Sequence, residues 1–150
     1  MENKLIYRII AIISIICLIV AAIIYSEETR YSLHQNSICS AITGTNSCET
    51  VQTSSYGKIF GISNPIFGII GFLALGIFAY ISSIIKKRNN ILRDLTIIGG
   101  IIAGIVALIF LYIQAFILHT YCIFCIIIDV LSLTLLGLAT YLLTKIIRHK

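Results

Sequence analysis

The chain has 150 residues, 59% of them hydrophobic and only 11% charged, with a mean hydropathy of +1.03. A soluble domain is about 45–50% apolar and about a quarter charged, so this composition excludes one and requires lipid as solvent for much of the surface. The formal charge of +5 does not point to nucleic acid, because the basic residues gather at the ends of apolar runs.

Four stretches reach the roughly 20 apolar residues that a helix needs to cross a bilayer core. They run from about 5 to 25, 65 to 85, 95 to 118 and 122 to 144. Backbone groups in lipid must be satisfied within the segment, so each is expected to be helical despite its many isoleucines. The expected fold class is an all-α integral membrane protein, a bundle of four transmembrane helices forming one domain over 1–150. Between the runs lie a long polar segment (26–64), a basic loop (86–94) and the link His119-Thr120-Tyr121. The two short connections force antiparallel neighbours. Gly100 and Gly104 make a GxxxG step, and Gly68, Gly71 and Gly76 add further small positions, read as internal helix packing.

Lys4, Arg8, Lys86, Lys87, Arg88, Arg93, Lys145, Arg148 and Lys150 are nine of the eleven basic residues and fall on one side of this topology, with only Arg30 and Lys58 on the other. The positive-inside rule then puts both termini in the cytoplasm and segment 26–64 outside. A cleaved signal peptide is disfavoured for the first run, since about 17 apolar residues after Arg8 exceed the roughly 7–15 of an h-region.

Of five cysteines, four map outward: Cys39 and Cys48 in the polar segment, and Cys122-Ile123-Phe124-Cys125 opening the last helix. Outside the reducing cytosol, two such pairs suggest either structural bridges or redox chemistry. A CxxC at a helix N-terminus favours redox, because the positive end of the helix dipole stabilises the Cys122 thiolate. The turn-rich stretch between Cys39 and Cys48 suits a mobile pair that exchanges with an outside thiol and with the CxxC. At the membrane edge the natural electron acceptor or donor is a lipid-soluble redox molecule such as a quinone. Asp129 shares a face with Cys122 and Cys125, about 6 Å deeper than Cys125. An ionisable group there suggests proton transfer or ligand orientation; the plainer reading is a hydrogen bond to Tyr112 or Gln114. Cys17 reads as packing, His119 as a solvated interfacial residue, and Glu27, Glu28, Arg30, Tyr31 and His34 as a hydrated loop start. A zinc site is disfavoured by the eight residues between Cys39 and Cys48.

Two loop cysteines, then Ser54-Ser55-Tyr56-Gly57-Lys58-Ile59-Phe60-Gly61, then Ser63-Asn64-Pro65-Ile66-Phe67-Gly68 opening the second helix, then a terminal CxxC: this order resembles the vitamin K epoxide reductase family. The resemblance covers nearly the whole chain. It implies a bundle around a quinone pocket, of ubiquinone, menaquinone or vitamin K type, with the outward segment as its cap. By the same resemblance Cys39 would exchange with a thioredoxin-like protein, Cys48 would relay to Cys122, and Cys125 would face the quinone. Asn64 would bond the quinone ring, with Ser63 and Phe67 beside it. Ser63 or Asn64 can instead cap the second helix, with Pro65 in its first turn. Many prokaryotic relatives carry a fused thioredoxin-like domain, which is not seen before Lys150, so the partner is expected to be separate. The animal enzymes have a tyrosine where Asp129 stands, which sets epoxide reduction apart from quinone chemistry. The rival expectations are vitamin K quinone or epoxide reductase activity, and a non-enzymatic membrane protein with two structural disulfides.

Overall fold

The computed structural model describes residues 2–32, 38, 47–85 and 90–148. Its elements are α1 (Glu2–Ser32), α2 (Ser47–Thr53), a hairpin of β1 (Lys58–Ile59) and β2 (Ile62–Ser63), α3 (Asn64–Ile84), α4 (Asn90–Tyr112) continued by a π-helical turn (Ile113–Ile117), and α5 (Ile123–Arg148). Helices α1, α3, α4 with its π turn, and α5 are long and apolar enough to cross a membrane. Large apolar side chains such as Ile12, Ile98 and Val130 are exposed on them, as a lipid-facing surface requires.

The four long helices form a ring: α1 packs on α3, α3 on α4, α4 on α5, and α5 on α1. The half of the bundle nearer the chain ends is solid, built from Tyr7, Ile10, Leu75, Ala79, Ile97, Leu135 and Leu142. Small residues let the backbones approach there. A Cβ on Gly100 would lie 2.9 Å from the Ala139 Cβ, and one on Gly104 would overlap Leu136, so the GxxxG step is spent inside the bundle. Buried hydroxyls in the helices bond back to their own turn, Ser14 to the Ile10 carbonyl at 2.8 Å and Thr96 to the Leu92 carbonyl at 2.8 Å. Cys17 is a fully buried free thiol, in keeping with packing.

Segment 26–64 differs most from expectation. Helix α1 does not end at Tyr25 but runs to Ser32, and the Ser26 and Thr29 hydroxyls bond back to the Ile23 and Tyr25 carbonyls. Glu27 is not hydrated: it is fully buried, accepts the Ile38 N–H at 2.7 Å and lies 3.9 Å from Arg30 Nε. Glu28 accepts the Ser63 hydroxyl and pairs with Lys58 at 3.9 Å. The two carboxylates thus fasten the segment to the top of α1, which is why the helix continues. His34 and Cys39 lie outside the described residues.

After α2, Gly57 turns back onto the Ser54 carbonyl at 2.9 Å, and a Cβ at Gly57 would overlap the Gln52 backbone. The hairpin pairs Lys58 with Ser63 and Ile59 with Ile62, and its two-residue tip, Phe60 and Gly61, has φ of 52° and 79°. Positive φ at both positions matches the twist of a tight hairpin. The capping expectation is corrected. Ser63 holds the N-cap position of α3 in extended conformation, yet makes no side-chain cap, because its hydroxyl is bound to Glu28.

Gly104→Ala is expected to push α4 from α5 and destabilise the bundle by about 1–3 kcal/mol, read as a lower melting temperature in detergent. Gly137→Ala, whose added Cβ meets nothing within 4 Å, should leave it unchanged.

Candidate active site

The CxxC lies where the chain re-enters the bundle. After the π turn, His119 takes a positive φ of 48°, and the chain reverses into Cys122, one residue ahead of α5. The Cys122 carbonyl accepts the Ile126 N–H at 2.9 Å, so Cys122 is the N-cap of α5, and its Sγ accepts the Cys125 N–H at 3.4 Å. Both CxxC cysteines are free thiols, with Cys125 Sγ 2.7 Å from Cys122 Sγ. A disulfide needs about 2.05 Å, so closing the pair takes little movement. The Cys125 thiol hydrogen bond holds the Cys122 thiol below its ordinary value, with help from the Cys125 and Phe124 N–H groups and against the opposing effect of burial.

The two thiols face different neighbours. Cys122 is fully buried and shares a small cluster with Cys48 and Val51 of α2, flanked by Leu118, Phe124 and Cys125. Cys48, also fully buried in the first turn of α2, is disulfide-bonded. Cys125 instead lines a cavity of about 610 Å³ in the half of the bundle away from the chain ends. Ala21, Ile24, Phe72, Val106 and Phe110 supply apolar walls, and Val51, Gln52, Ser54, Tyr56 and Gly57 of the stretch between α1 and α3 close one end. A cavity of this size and apolarity suits a drug-sized ring compound.

Asn64, Phe67 and Asp129 line the cavity. Ser63 does not, since it is buried with its hydroxyl on Glu28. Asn64 donates from Nδ2 to the Tyr56 carbonyl at 2.6 Å. Asp129 is buried and accepts from Gln114 Nε2 at 3.1 Å, while Gln114 Oε1 accepts the Cys122 N–H at 3.1 Å. Gln114 therefore ties Asp129 to the CxxC backbone. It is the partner rather than Tyr112, whose side chain is exposed. The π turn carries Gln114 to this position, and such turns concentrate at functional sites.

Gln52 was missed by sequence reasoning. It is 5% exposed, lies in the cavity wall, and follows Cys48 by four residues, so it shares that cysteine's helix face. That spacing was its only signal.

The model of the vitamin K epoxide reductase family matches residues 8–140. The chain belongs to the vitamin K epoxide reductase family. Comparison with curated proteins finds no match. Members of the vitamin K epoxide reductase family are oxidoreductases of membrane redox and quinone-related disulfide chemistry, and the four apolar helices make this member a multi-pass membrane protein.

Gln114→Leu would leave the Asp129 carboxyl and the Cys122 N–H without their partner. A buried group so stranded costs about 1–3 kcal/mol. The variant should melt correspondingly lower in detergent, and more steeply so in the Asp129-containing protein than in an Asp129→Leu background.

Proposed function

We propose that the protein is a thiol–disulfide oxidoreductase that oxidises a separate thioredoxin-like partner and passes the electrons to a quinone. The observation that carries this reading is the division of the CxxC: Cys122 packs with Cys48, and Cys125 lines the cavity. Two cysteine pairs in contact, with one thiol opening on an apolar chamber, form a path from the membrane surface to a lipid-soluble acceptor.

Cys39 and Cys48 form the outward pair, and Cys39 meets the partner. Once the partner has reduced that pair, the Cys48 thiolate attacks Cys122 of the oxidised CxxC, forming a Cys48–Cys122 bond and releasing Cys125 as thiolate. Cys39 then attacks Cys48, which restores the outward disulfide and frees Cys122. Low pKa favours a thiol as the leaving group in such exchange, and the hydrogen bonds to Cys122 Sγ serve that step. Oxidation of the CxxC dithiol releases two electrons and two protons, which a quinone of ubiquinone, menaquinone or vitamin K type takes up to become its quinol.

The residues present fit such a ring. The walls are apolar, and Asn64 and Gln52, whose amides hold buried atoms unpaired among the described residues, are in the cavity lining. Phe67 offers an aromatic face. Asp129, four residues after Cys125 in the same cavity lining and held by Gln114, would accept the thiol proton in this reading. The charge bias supports cytoplasmic termini and an outside cysteine segment.

The first test is anaerobic quinone reduction by the purified protein in detergent with a dithiol donor. Cys125→Ala should lose all quinone turnover while its outward pair still exchanges with a dithiol; full turnover in that variant overturns the assignment. Cys39→Ala should fail with a thioredoxin-like donor but retain turnover with a small dithiol that reaches the CxxC directly. Equal failure with both would make the outward pair structural or its relay obligatory. In Asp129→Asn the pH–rate profile should lose one ionisation, and an unchanged profile would remove the proton role.

A further inference from the structure

Gln114 is bonded at three points: its Nε2 donates to Asp129 Oδ2 at 3.1 Å, its Oε1 accepts the Cys122 N–H at 3.1 Å, and its backbone carbonyl accepts the Thr120 N–H at 3.3 Å. The direction of the side-chain amide is settled by the backbone. The Cys122 N–H can only donate, so the atom facing it must be Oε1, and a flipped amide would set two donors against each other. Nε2 therefore faces Asp129 whether that carboxyl is ionised or neutral, and Oδ2 must accept in both states.

This fixes which oxygen of Asp129 is available for a proton. In a neutral carboxyl the carbonyl oxygen is the better acceptor, so Oδ2 takes the carbonyl role and the proton belongs on Oδ1. Asp129, Gln114 and Cys125 all line the cavity, with Asp129 one helical turn beyond Cys125 on the same face of α5. Gln114 reaches them from the π turn that ends α4. It is 1% exposed, so its bonds meet little competition from water. Resting on the quinone reading above, we propose that Gln114 is a positioning residue for proton transfer, which occupies Oδ2 of Asp129 and so reserves Oδ1 for the proton of Cys125.

The step balances. Closure of the CxxC dithiol forms one S–S bond, gives up two electrons to the quinone and frees the protons of Cys122 and Cys125. Both protons end on the quinone oxygens. The Cys125 proton travels by way of Oδ1, so Asp129 finishes as it began, and Gln114 neither gains nor loses a proton.

The experiment first reads the carboxyl itself. Infrared difference spectra between acid and alkaline pH, taken on quinone-free protein in detergent, show the C=O stretch of each neutral carboxyl, and the Asp129 band is the one that Asp129→Asn removes. A C=O that accepts a hydrogen bond absorbs at lower frequency. Gln114→Met, which nearly keeps side-chain length without a donor, should therefore move that band to higher frequency; an unmoved band shows that Oδ2 is not the carbonyl oxygen and overturns the proposal. Turnover with quinone then asks whether Gln114 acts through Asp129. Gln114→Met should lower kcat about tenfold or more in the natural background and have little effect in Asp129→Asn. Equal loss in both backgrounds overturns the proposal, because a residue that only supports Cys122 costs the same in each. Where Gln114→Met fails to fold, Gln114→Glu keeps an acceptor for the Cys122 N–H without an amide donor for Oδ2; it should again move the band and again lose its effect on turnover in Asp129→Asn. An unmoved band beside intact quinone turnover in the unsubstituted protein overturns this inference alone, whereas absence of that turnover overturns it together with the quinone reading.

Discussion

A polar atom below the headgroups has no water to bond, so the protein must supply its partner. Most of this structure follows from that requirement. Ser14 and Thr96 turn back on their own helices. Gln114 uses both ends of its amide, one on Asp129 and the other on the Cys122 N–H. Near the end of α1, Glu27 and Glu28 take the Ile38 N–H and the Ser63 hydroxyl and so hold the stretch that follows against α1. Among the described residues, Gln52 and Asn64 of the cavity lining carry buried amide atoms that break the rule. Ser82 Oγ breaks it on α3, and nothing in the structure explains it.

The bundle divides its work by size of side chain. Near the chain ends, small residues let the helices close up, as Gly100 and Gly104 do against Ala139 and Leu136. Toward the other end, Gly71 and Ala103 are small residues in the wall of open space. The CxxC stands where these regimes meet the outward segment. One sulfur is sealed among Cys48 and Val51, and the other borders the chamber. A two-residue spacer at a helix N-terminus suffices for this, because one helical turn holds the sulfurs in contact while they border different surroundings.

The long helices were legible because lipid demands runs of apolar residues, and few other structures tolerate them. The shared face of Cys125 and Asp129 was legible because helical periodicity continues through α5. The continuation of α1 was not, since Glu27 and Glu28 look like surface residues until their partners, distant in sequence, are known. Gln114 was readable only as one of two partners for Asp129; the π turn shifts the face on which residues near it fall. Gln52 was hidden in a short polar helix of seven residues, too brief for its pattern to show which side is enclosed.

The double anchorage of Gln114 has a mechanical consequence for disulfide exchange. Cys122 is bound through its backbone to α4's π turn and caps a helix embedded in the bundle. Any displacement of its backbone toward an incoming thiol would have to drag Gln114's bond to Asp129 along with it. In the proposed relay, backbone travel for successive attacks would then fall to the other side of the contact, to α2, which carries Cys48. On the proposed reading, the CxxC is the fixed side of the exchange and Cys48 on α2 is the side that travels.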